Sequence, residues 1–226
     1  MTRDSSRVAL FVLALGWPTW GWAAPDSAWE KMADTSDGIL AYRKEIPGSR
    51  LLAFRGEGVV DGPLPLVATI LVDASQGPDW VYALTEARIL RWLSPDEFIE
   101  YDRFEMPLII ADRELVNRGK ITIDPQQRQF RLEYSAIEDP GAPLTRHVRG
   151  EIIASYILLR PLPDGKTHVE AYIHGDPKGL IPSWIVNFLE KDWPVRTFRG
   201  LRRQAAKKGL PVDPRFADLL GRGVPE

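Results

Sequence analysis

The chain has 226 residues, 44% hydrophobic and 27% charged, with 29 basic against 31 acidic side chains and a net charge of −2. That length suits one domain with a substantial core, and the charge balance gives no electrostatic reason to expect nucleic acid, which favours a basic patch or stripe. Cysteine is absent, which excludes disulfides, a thiol nucleophile and a lipid-modified amino-terminal cysteine.

The first 23 residues carry the pattern of an export signal. Arg3 and Arg7 precede an unbroken apolar run of nine, Val8–Gly16, and Gly21 and Ala23 supply the small residues that a signal peptidase reads. Cleavage after Ala23 removes Arg3, Arg7 and Asp4 and takes the net charge from −2 to −3. The product expected is periplasmic or secreted. The competing reading is a retained anchor over Val8–Ala24, at the short edge of the ~20 residues that span a bilayer and weakened by Pro18 and Thr19.

The domain is expected over residues 24–208. Asp26–Met32 reads as a short helix. Ile39–Glu45 and Leu51–Val60 read as strands joined by a turn at Pro47-Gly48. Pro63 and Pro65 open an apolar helix through Val72. Asp79–Leu93 reads as a second helix, with Trp80, Leu84 and Ala87 on one stripe and Ser94-Pro95 at its end. Phe98–Met106, Glu114–Ile123, Gln129–Ile137, His147–Arg160 and Thr167–His174 follow as strands. Their separators are short, so the sheet is antiparallel.

A helix is then expected from Pro182 to about Lys208, kinked after Trp193 by Pro194. Residues 209–226 read as a loose polar tail. The economical architecture is α+β, a curved antiparallel sheet around the final helix.

Side-chain parity divides the strands into faces. Val169, Ala171 and Ile173 point inward, opposite His168, Glu170, Tyr172 and His174. Leu115, Asn117, Gly119, Ile121 and Ile123 share the inner face of their strand. An inward amide and a missing side chain suit a cavity wall better than a packed core, although a β-bulge at Gly119 explains the glycine equally well. On the final helix, Thr197 and Leu201 turn towards the same space.

Catalytic patterns are missing. His147, His168 and His174 lack metal-site spacing, and His168 and His174 stand ~20 Å apart on an extended strand. There is no nucleophile elbow and no phosphate loop. Asp96, Glu97, Glu100, Asp102 and Glu105 crowd one strand region and read as a solvated face. The basic run Arg199–Lys208 complements the helix dipole, with docking on anionic lipid as its alternative.

The run Asp176-Pro177-Lys178-Gly179-Leu180-Ile181-Pro182-Ser183-Trp184 resembles the D-x-K-G-[IW]-[IL]-P-x-[WS] junction of the START family. Four further segments agree in order and spacing: Phe54–Asp61 with Trp80 beyond it, Asp112–Val116, Val148–Glu151 and Leu201–Arg203. The likeness spans most of Asp37–Lys208. It implies the helix-grip fold with an internal apolar cavity that carries lipids or sterols. It also implies that Ile157, Ala171 and Leu201 line the cavity, and that the loop Glu138–Arg146, with Pro140, Gly141, Ala142 and Pro143, is the lid. Steroid-binding members carry a cavity arginine six residues after the position of Arg113. Here that position is Gly119, and Arg118 has the opposite parity.

A monomeric, non-catalytic carrier of a lipid or sterol-like molecule, with transient membrane contact and no cofactor or metal, is therefore expected. Its rival is an enzyme of the cyclase or aromatase type, for which Asn117, Thr197 and Glu105 are the available polar groups. A third possibility is an interaction module with a closed, packed interior.

Overall fold

The computed structural model describes residues 29–107, 110–182 and 191–217. The expected export signal, the tail beyond residue 217, and Ile185, Phe188 and Leu189 of the expected final helix lie outside these residues.

Ten strands form one curved sheet: β1 (Glu30–Asp34), β2 (Leu40–Glu45), β3 (Leu52–Val60), β4 (Leu84–Ser94), β5 (Glu97–Phe104), β6 (Arg113–Asp124), β7 (Gln129–Ala136), β8 (Val148–Arg149), β9 (Glu151–Pro161) and β10 (Thr167–Asp176). Their order is β1-β2-β3-β10-β9-β7-β6-β5-β4, all antiparallel, while the two-residue β8 pairs in parallel with β6. Helices α1 (Leu64–Val72), α2 (Gly77–Trp80) and α3 (Trp193–Ala205) lie against the concave face, and α4 (Pro214–Ala217) follows. This is the α+β helix-grip arrangement.

Two expected helices are strands. Glu30–Asp34 forms the edge strand β1, with Glu30 opposite Arg43 and bonded to its guanidinium at 2.7 and 2.9 Å. The stripe Trp80, Leu84, Ala87 arose by coincidence. A helix there ends at Trp80, because Val81 turns to extended backbone, and Ala83 beyond it takes a left-handed φ of 65°. Leu84–Ser94 then pairs along β5, so tertiary pairing outweighed a helical period.

Pro194 does not interrupt the described helix. It stands in the first turn of α3, where its missing N–H is harmless. Nor is residues 209–217 a loose tail. The backbone N–H of Asp213 donates to Thr69 Oγ1 at 2.9 Å, and Phe216 packs edge-on against Phe130 with centroids 5.4 Å apart.

The core fills the space between α1, α3 and the concave face, with Val67, Phe130, Leu159 and Phe198 among its buried members. Two close approaches seat α3. A Cβ on Gly56 of β3 would meet Pro194 Cβ at 2.8 Å and Phe198 at 3.0 Å, and one on Gly200 would collide with the Trp80 carbonyl. Only glycine lets the helix sit this near the sheet and α2.

Candidate functional site

Between α3, the α1–α2 segment and the sheet lies a cavity of about 280 Å³. Sheet curvature holds it open, and the strand parity derived above decides what lines it. Leu115 and Asn117 of β6, Ile157 of β9, Val169, Ala171 and Ile173 of β10, and Thr197 and Leu201 of α3 all border it.

Gly119 lies outside that lining. It is the cross-strand partner of Phe98, whose ring occupies the space over it. Its missing side chain accommodates an aromatic ring and enlarges no cavity. The β6–β5 register is continuous across this pair, so there is no bulge between these strands at Gly119.

The expected lid lies elsewhere. Asp139 accepts from Arg91 Nη1 at 2.8 Å, and Ala142 packs on Ile99, Tyr101 and Val116. Those three alternate with the inward residues Glu100, Asp102 and Asn117, so they mark the convex face of the sheet. Glu114 anchors the same loop by accepting from Thr145 at 2.6 Å, Arg149 at 2.7 Å and Tyr101 at 3.0 Å. Burial pushes its carboxyl up, yet these hydrogen bonds hold it below the usual range. Pro140, Gly141, Ala142 and Pro143 thus sit away from the cavity, pinned by an ion pair and an apolar contact. The segments that do border it are Tyr82–Ala83, Glu105–Pro107 and Asp176–Pro177.

The polar end of the cavity overturns the reading of the strand carboxylates as a solvated face. Glu100 and Asp102 are only 6% and 8% exposed and point inward with Phe98 and Phe104. Glu100, Asp102 and Tyr134 stand together at this end of the cavity. Asn117 Nδ2 stands 3.4 Å from Asp102 Oδ2. Burial, reinforced by the neighbouring Asp102, pushes Glu100 well above the carboxylate range. Burial likewise raises Asp102 to about 7, against the opposing hydrogen bonds of Asn117 and Glu100. Two residues of the lining also carry a buried polar atom without a hydrogen-bond partner, Asn117 Oδ1 and Trp80 Nε1. Parity shared with the buried Phe98 is the signal in the sequence that could have marked Glu100 and Asp102 as inward.

His174 keeps its outward parity, but the turn at Ser49 covers it, with Oγ 3.2 Å from Nε2. Burial lowers its pKa. Among the described residues no cluster of side chains is arranged to hold a metal ion, and no helix is long and apolar enough to cross a membrane.

The sequence matches the START domain family over residues 23–205. The chain belongs to the START domain family. An uncharacterized Pseudomonas aeruginosa protein is 26% identical over 79% of this chain and 87% of its own length. The phosphatidylcholine transfer protein of Bos taurus is 25% identical, over 75% of this chain and 80% of its own. The crystal structure of a STAR-related lipid transfer protein fragment from Xanthomonas axonopodis superposes with a TM-score of 0.70 at 25% identity, covering 79% of this chain and 99% of that one. The START motifs quoted above meet in space: Arg113 Nε donates to the Pro177 carbonyl at 2.7 Å and Nη2 to that of Lys178 at 3.1 Å.

Proposed function

We propose that this START domain binds a hydrophobic small molecule in its cavity and carries it without chemical change. The observation that supports this most directly is a largely apolar cavity lying between a curved sheet and its closing helix. Burying hydrocarbon there stabilises a complex by ~0.8 kcal/mol per CH₂, so retention needs no covalent bond. The residues proposed to hold the molecule are Leu115, Asn117, Ile157, Val169, Ala171, Ile173, Thr197 and Leu201. Leu180, fully exposed beside the junction that borders the cavity, suits a transient membrane contact, and the amino-terminal pattern supports export.

Native mass spectrometry of protein purified from its own host tests the carrier reading. A co-purifying lipid supports it, especially if the protein also speeds movement of a fluorescent single-chain lipid between phosphatidylcholine vesicles. Absence of both rejects it.

One observation favours a second reading, a helix-grip enzyme of the cyclase or aromatase type. The Glu100–Asp102–Tyr134 group offers protonated and ionised carboxyls near neutral pH, as general acid–base catalysis requires. Conversion of the co-purified molecule on prolonged incubation, lost in Glu100→Gln, would establish that reading and displace the carrier.

A further inference from the structure

We propose that the polar end of the cargo is a protonated amine, held by the Glu100–Asp102 carboxyl pair and the unpartnered Asn117 oxygen, and that amphiphiles with an anionic end are turned away. This rests on the carrier reading and names its ligand class.

The charges around the cavity carry the inference. Six acids border it, Asp73, Glu100, Asp102, Glu105, Glu151 and Asp176, against a single described cation in the lining, Arg113; Glu151 and Asp176 are paired with Lys178 at 2.8 and 3.1 Å, which leaves Glu100 and Asp102 as the buried acids without a cation. That arginine is already engaged. Its guanidinium donates to the carbonyls of Ala111, Pro177 and Lys178 and so faces the junction.

Around the carboxyl pair itself, β6 presents Asn117 and Leu115, and β4 places Ala87 and Ile89 opposite Asp102 and Glu100. Tyr134 comes from β7, Thr197 and Leu201 from α3, Trp80 from α2, and Ser155 and Ile157 from β9. None is cationic. A carboxylate entering this space would give up its water with no cation to pair it, beside carboxyls that its own charge would hold protonated.

Asn117 adds an independent sign of a missing ligand. It is 2% exposed, and its Oδ1 has no hydrogen-bond partner. Buried polar atoms of this kind are rare and costly. An ammonium carries donors alone and no acceptor. It can satisfy Asn117 Oδ1, Asp102 and Glu100 together, through charge-assisted bonds that a hydroxyl with one donor cannot match.

Protons follow from this arrangement. Without cargo, burial holds Glu100 protonated and leaves Asp102 to titrate at about 7. An entering ammonium favours the ionised form, so a carboxyl proton leaves to solvent as the cation arrives. Amine affinity therefore rises with pH across the pair's titration.

Isothermal titration calorimetry with dodecylamine, dodecan-1-ol and dodecanoate tests the inference. An alkyl ammonium with a pKa near that of lysine, ~10.4, stays charged from pH 5 to 8. At pH 7 dodecylamine should bind at least about tenfold more tightly than dodecanoate. Its affinity should fall from pH 8 to pH 5, while that of dodecanol stays level. Asp102→Asn should weaken dodecylamine by at least about tenfold and leave dodecanol within about twofold, which also shows the variant folded. Equal weakening of amine and alcohol, or dodecanoate binding as tightly as the amine, overturns the proposal. If the alcohol and dodecanoate bind and the amine does not, the carrier reading stands and only this inference falls. If none of the three binds, both fall.

Discussion

The Arg113 guanidinium reaches across 64 residues of sequence to the Pro177 carbonyl, 2.7 Å away. It ties the start of β6 to the turn after β10, where Lys178 and Gly179 take left-handed φ values of 54° and 76°. Burial lowers its pKa, yet it stays a planar, charged fork, which a lysine cannot imitate.

Arg113→Lys should therefore destabilise the domain by about 1–3 kcal/mol, because a carbonyl is left without its donor. The urea midpoint measures this. Hydrogen exchange at residues 178–181 should quicken before any global change, since the bond acts locally. Unchanged exchange there would show that the turn holds without its arginine.

Gly119→Ala should cost about 1–3 kcal/mol through overpacking, because the new methyl falls on the Phe98 ring, which is fully buried. Dodecanol binding by the folded variant should persist, since the position lies outside the cavity lining. A variant of unchanged stability that loses binding would reverse the assignment.

Ala171→Trp should fill the cavity between Gly56 and Ile157, its partners on the neighbouring strands. Fluorescent-lipid binding should drop by at least about tenfold while circular dichroism still reports the sheet. Undiminished binding in a folded protein would remove Ala171 from the wall.

The pH dependence of stability has a definite sign. Asp102 titrates higher folded than unfolded, so its contribution is complete below its unfolded value of 3.8 and is lost as pH rises through about 7. His174, lowered by burial, works oppositely: its contribution is present above 6.5 and fades as pH falls below that value. Glu114, Asp139 and Asp213 are held below the usual range and act only in more acidic solution. Asp102→Asn isolates the first effect. Relative to the parent without ligand, the variant should gain a few kcal/mol between pH 5 and pH 8. A flat difference in chemical denaturation would mean that Asp102 is not desolvated.

Export is testable directly. Amino-terminal sequencing of the periplasmic fraction should find Ala24 first; Met1 retained would favour the anchored form.

Sequence alone decided what depends on local order along the chain. The alternation in Val169–Ile173 and Leu115–Asn117 assigned these side chains to the concave face, since a strand can turn its residues only two ways. Short Gly- and Pro-rich separators made the sheet antiparallel. What depends on a distant partner was not legible. Leu84–Ser94 has a helical stripe and becomes a strand because β5 offers it a ladder of hydrogen bonds. Glu138–Arg146 looks like a lid until Arg91, Glu114 and Tyr101 hold it to the convex face. Glu100 and Asp102 look like a wetted surface because carboxylates are usually solvated. Only the folded sheet with the elements packed on its concave face buries them, and that burial turns two ordinary acids into the polar end of the cavity.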